Sequence, residues 1–127
     1  MQFNIGSIVF LGVAAFGSLA SAQAVAFGQE LRNGDQTNHW VAWTEGQHAC
    51  PGQQVLDVLT KSPCGQSFSL GEVSYSFSGC SADSGAPTVL LDSGGLQIGG
   101  CKTASGKINC HGDNHDIIKH GVCAIVN

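Results

Sequence analysis

The chain has 127 residues, 11% of them charged, and its 9 acidic against 5 basic residues leave a net charge of −4. That balance excludes a surface built to neutralise a phosphate backbone, which needs clustered Lys and Arg. It also excludes a cationic membrane-disrupting face, so neither a nucleic-acid nor a membrane partner is expected.

The first segment, "MQFNIGSIVFLGVAAFGSLASAQA", reads as a secretory signal. Ile5 to Phe16 form an apolar core too short and too rich in Gly and Ala for a spanning helix. Small residues follow, with Ala20-Ser21-Ala22 and Ala22-Gln23-Ala24 as rival A-x-A cleavage sites. The expected organisation is a signal over 1–22 and a single disulfide-bonded β domain over 23–127, secreted and extracellular. No N-x-S/T triplet occurs, so no N-glycan is expected.

Glycine is frequent, proline rare and the apolar runs short, which is the texture of an all-β domain with many turns. "VAFGQELR" is a candidate strand at the mature N-terminus, and "HWVAWT" a second, after the turn-rich "RNGDQTN". "QQVLDVLT", Gln53 to Thr60, fits a helical stripe or a strand. Its Val content and the Ser62-Pro63-Cys64 that follows favour the strand. In "EVSYSFS", Val73, Tyr75 and Phe77 alternate with polar residues, giving one apolar and one wet face. Thr88 to Asp92 and Leu96 to Gly100 read as a hairpin turning at Ser93-Gly94-Gly95. "KINCH" and "IIKHGVCAIV" are two further strands. The predicted architecture is a small disulfide-stapled β-sandwich or barrel of six to eight short strands, with at most one short helix.

Cys50, Cys64, Cys80, Cys101, Cys110 and Cys123 all follow the signal. An even number on a short secreted chain predicts three disulfides, with fifteen possible pairings. No close C-x-x-C pair suggests a cysteine zinc site.

Three groups of residues are candidates for chemistry. "CHGDNHDIIKHGVC" holds His111, His115 and His120 with Asp113 and Asp116. Imidazole is a common ligand of Zn or Cu, and three ligands make a usual catalytic zinc shell. The spacing matches no named zinc signature, and Gly112-Asp113-Asn114 reads as a turn, so a solvated loop is the competing account. Glu30, Glu45, Glu72, His39 and His48 could furnish an acid–base pair, with Arg32 as the single arginine beside a phosphate. Trp40 and Trp43 lie three apart and point to opposite faces of a regular strand. One of them, with Tyr75 near, could stack on a sugar or anchor a partner protein, unless both are buried.

"SLASAQA", "HACPGQQVL", "SPCGQSFSL" and "YSFSGC", with the cysteine count, resemble the small secreted cysteine-rich proteins of filamentous fungi. The resemblance spans about Val41 to Cys123 and is one of style, without a diagnostic motif. It implies a monomeric effector-like protein engaging an extracellular protein or glycan of a host or competitor, and carries over no catalytic residue. The acidic charge departs from the basic antifungal members. The expected function is therefore binding without catalysis. The alternatives are a Zn/Cu-binding protein using the three histidines and a small ribonuclease-like hydrolase.

Overall fold

A computed structural model describes residues 23–112 and 115–126. The expected signal lies outside them, as do Asp113 and Asn114 of the histidine-rich stretch and Asn127. Eight strands follow in order: β1 (Ala24–Arg32), β2 (Thr37–Thr44), β3 (Gln54–Val58), β4 (Ser67–Leu70), β5 (Val73–Ser78), β6 (Val89–Asp92), β7 (Gln97–Ile108) and β8 (Ile117–Ile125). A four-residue helical turn, α1 (Ala49–Gly52), joins β2 to β3. Every strand pairing is antiparallel.

The strands lie in the order β3-β2-β1-β8-β7-β6-β5-β4. This is the chain order written as a ring, with β8 paired to β1 and the one break between β3 and β4. The sheet is thus an up-and-down barrel, nearly closed, and its seam carries a side-chain bond from Gln66 Nε2 to Asp57 Oδ2 at 3.2 Å. Curling brings the two edge strands, β3 and β4, to face each other across the seam, although no ladder joins them.

Gln53 to Thr60 resolves in favour of the strand. Leu56 is buried while neighbouring Val55 is 43% exposed, the alternation of a pleat and not of a helical stripe. Val73, Tyr75 and Phe77 alternate as expected, with Tyr75 and Phe77 buried. The β6–β7 hairpin turns at the expected residues, where Asp92 Oδ1 accepts from the amides of Gly94 and Leu96. "KINCH" is not a separate strand. Lys107 and Ile108 finish β7, whose register shift between Thr103 and Gly106 lets one long strand bend along β8. β4 was not anticipated; "SFSL" alternates correctly but is only four residues long.

The barrel interior draws on all eight strands, with Phe27, Trp40, Phe68, Tyr75, Phe77 and Leu90 among its buried residues. Phe77 meets Phe27 edge-on at 5.5 Å and Phe68 at 4.9 Å between ring centroids, within the range of favourable aromatic pairs. A second, outer cluster of Ala26, Val41, Trp43, Ala49 and Ile117 covers the other face of β1, β2 and β8. Those strands are therefore buried on both faces, which is why "AVAF" and "WVAW" are apolar without alternating.

The cysteines pair as Cys50–Cys110, Cys64–Cys80 and Cys101–Cys123. Cys101 and Cys123 are direct cross-strand partners, whereas Cys50–Cys110 clamps the outer cluster. Three bridges suit an oxidising environment. Among the described residues no helix is long and apolar enough to cross a membrane.

Candidate functional site

The open end of the barrel that faces the β3–β4 and β5–β6 loops holds a cavity of about 240 Å³. Trp40, Leu59 and Ala86 form its apolar wall, and Gln29, His120, Ser84 and Thr103 its polar edge. Strand register explains how these residues meet. Gln29 on β1 lies opposite Trp40 on β2, so both side chains emerge on the inner face. Leu59 follows β3 directly, and its amide donates to the Asn38 carbonyl at 2.8 Å, which holds it beside β2.

His120 arrives by a bulge. Phe27 pairs with Gly121 while Gly28 pairs with Lys119, leaving His120 as the extra residue of β8. A bulge re-aims a side chain, and here the imidazole turns to the inner face, 5.9 Å from the Trp40 ring. Its Nε2 lies 2.7 Å from Gln29 Oε1. A carbonyl oxygen only accepts, so Nε2 carries the proton and Nδ1 keeps a lone pair. Burial pushes this imidazole below the ordinary histidine range, favouring the neutral ring. Trp40 Nε1 donates to the Lys61 carbonyl at 3.0 Å, so its polar atom is satisfied and its ring faces the cavity as plain apolar surface.

Both tryptophans are buried, the outcome weighed against an exposed aromatic face. Trp40, Trp43 and Tyr75 are 4%, 2% and 1% exposed. Trp40 and Trp43 do point to opposite faces, but each face has its own core, and Tyr75 is inside the barrel. None of the three offers an open stacking surface; Trp40 contributes only as a wall of the mouth.

The three histidines do not converge either. His111 is exposed beside the Cys50–Cys110 bridge. His115 bonds through Nε2 to Asn33 Oδ1 on the β1–β2 turn at 2.7 Å, and His120 points into the barrel. No group of three possible metal ligands occurs among the described residues. Asp113 lies outside them, and Asp116 instead accepts from the Cys110 amide at 3.0 Å.

Of the acid–base candidates, the fold brings Glu30, Arg32 and His39 together on the outer face of the β1–β2 hairpin, where Glu30 pairs with His39. The Glu30 side chain is fully buried and receives Arg32 Nη1 at 2.6 Å and Gln53 Nε2 at 3.0 Å. His39 places Nδ1 2.9 Å from the Leu56 carbonyl and Nε2 2.7 Å from Asp35 Oδ2. Two acceptors ask for two N–H donors. The Leu56 carbonyl, and then Asp35, accordingly raise the His39 pKa above its ordinary value. With both nitrogens engaged and the carboxylate enclosed, this cluster ties β3 to the hairpin and leaves no lone pair for proton transfer. Glu45 is remote, paired with Lys119. His48 and Glu72 are exposed in separate turns.

A larger cleft of about 440 Å³ runs beside the Cys50–Cys110 bridge between His48 and His111. Both of its imidazoles are exposed, and no buried polar side chain converges on it. The mouth differs in pairing a buried ring with half-buried polar groups. Gln29, Leu59, Ser84, Ala86 and Thr103 carried no sequence signal, because they come from separate segments that only barrel closure assembles. No protein-family model, no curated protein and no solved structure matches this chain.

Proposed function

We propose that the chain is a secreted protein of the small cysteine-rich kind found in filamentous fungi. In this reading it acts as a monomer, by binding and without turnover, and it engages an extracellular macromolecule of a host or competitor. Its contact site is the barrel mouth. One observation carries the reading: Trp40, Gln29 and His120 converge on a cavity of about 240 Å³ at the end of a barrel with an aromatic-rich core. Small barrels bind ligands in their mouths, where a rigid wall surrounds a few placed polar groups. Three bridges add support, because an extracellular protein must resist unfolding outside the cell.

The test is hydrogen exchange on the purified protein with and without host extracellular fluid, repeated with the mouth plugged by Thr103→Trp. Thr103 is exposed on β7 at the cavity edge, so the larger side chain has room outside the core. Slowed exchange at Trp40, Leu59 and His120 in the wild type only is the expected result. Unchanged exchange, or equal protection in the plugged variant, overturns the assignment of the mouth.

A further inference from the structure

The chemistry of the mouth specifies what fits it. Among the described residues no Lys, Arg, Asp or Glu lines the cavity, and an ion buried there without a partner would bear a large desolvation penalty. The occupant is therefore uncharged. A cavity of roughly 150 Å³ holds a benzene ring, so 240 Å³ accommodates a substituted ring or a fused bicycle. The wall is apolar, made by Leu59, Ala86 and the edge of the Trp40 indole, whose own N–H is already bonded, and an apolar ring suits it. The Gln29 bond fixes the proton of His120 on Nε2, which leaves Nδ1 without a partner among the described residues. An acceptor at the rim of an apolar cavity selects for a donor, because a half-buried polar atom left unpaired weakens binding.

We propose that the barrel mouth takes an uncharged aromatic ring bearing an O–H or N–H, a phenol or an indole, lying against the apolar wall of Trp40, Leu59 and Ala86 and donating to Nδ1 of His120. This rests on the mouth being the binding site. The ring has two natural sources: a free small molecule, or the Tyr or Trp side chain of a partner protein. Gln29 and His120 reach the cavity from β1 and β8, neighbouring antiparallel strands far apart in sequence, so the site exists only once these two have paired.

The experiment is isothermal titration of the full mature protein with phenol and indole, with benzoate and cyclohexanol as charged and non-aromatic comparators. N-acetyl-tyrosinamide and N-acetyl-tryptophanamide stand for the side-chain source. Saturable binding of phenol or indole is expected, with both comparators weaker by about tenfold. Thr103→Trp, or Ser84→Trp should the first variant fold poorly, abolishes it. His120→Phe keeps a ring but removes the acceptor. It should weaken phenol about fivefold to tenfold while leaving toluene unchanged. Binding should also fall as pH drops through the lowered pKa of His120, since the protonated ring cannot accept. Gln29 and Trp40 lie against His120, and neither titrates there. Neighbouring Lys119 is engaged by Glu45, and Lys102 on β7 is exposed. Free rings bound more tightly than the capped amino acids assign a small molecule, capped amino acids bound as tightly or more tightly assign a partner side chain, and either upholds the proposal. Absence of saturable binding by phenol and indole overturns it, as does benzoate binding as tightly. If the mouth is still protected in extracellular fluid, that failure concerns the ligand class and not the site.

Discussion

At the scale of residues, His39 shows how one side chain can lock an element boundary. It bridges the β1–β2 turn, through Asp35, to the β3 backbone at Leu56. Asp35 is held below the ordinary carboxylate range, chiefly by the His39 hydrogen bond, and so stays ionised through the neutral range. His39 has its pKa raised in the fold. A raised folded pKa contributes stability that is fully present below the unfolded value, about 6.5, and is lost as pH rises through the folded value. The stability gap between wild type and His39→Asn, measured as urea midpoints, should therefore be larger at about pH 5.5 than at about pH 8.5. His120, with its pKa shifted the other way, is present in both proteins and cancels in the gap. An equal gap at both pH values would show that the imidazolium does not hold the turn to β3.

At the scale of elements, the barrel is tied at three places of unequal consequence. Cys50–Cys110 joins residues 60 apart and pins α1 to the end of β7, whereas Cys64–Cys80 spans only 16. In the loop-entropy account a bridge stabilises by restricting the unfolded chain, about 4 kcal/mol for the longer loop and about 3 kcal/mol for the shorter. Replacing Cys50 and Cys110 together by Ala should cost more, in calorimetry or urea unfolding, than replacing Cys64 and Cys80. Losing either bridge, for example by Cys80→Ser, should lower the yield of folded protein. A Cys64/Cys80 variant less stable than the Cys50/Cys110 one would reverse the assignment of the main staple. Much of this level was legible in the sequence, since the period-two pattern in Val73–Phe77 reports the pleat and the Ser93-Gly94-Gly95 turn after Thr88–Asp92 reports the hairpin. β4 escaped because four residues carry too little pattern, and β7 was cut short because its bend is set by pairing with β8. The mouth was legible only in fragments. Trp40 and His120 stood out by type, but the bulge that turns His120 inward depends on how β8 meets β1, which is invisible from either strand alone.

For the whole molecule, the decisive feature is the place where the ring of strands is left open. The pairing of β1 with β8 joins the two ends of the domain, with Ala24 opposite Ala124 and the Ile125 amide bonded to the Gln23 carbonyl at 3.1 Å. It is the longest-range strand pairing in the fold, and its closure entropy must be met before its contacts form. The seam between β3 and β4 lacks ladder pairing although the two strands are consecutive in sequence. A circular permutant can exchange these two properties. Joining Val126 to Gln23 with a short Gly/Ser linker, and opening the chain between the exposed Lys61 and Ser62, makes every hydrogen-bonded strand pair consecutive. The fold should survive, because chain ends at exposed loop positions are tolerated. It should also form faster, because lower contact order speeds folding. Stopped-flow refolding of both proteins with bridges intact measures this. A permutant that retains the barrel but folds more slowly would mean that the β3–β4 connection, and not β1–β8 closure, limits assembly. One that cannot fold would mean that the 59–66 loop is integral to the barrel rather than a link across its seam.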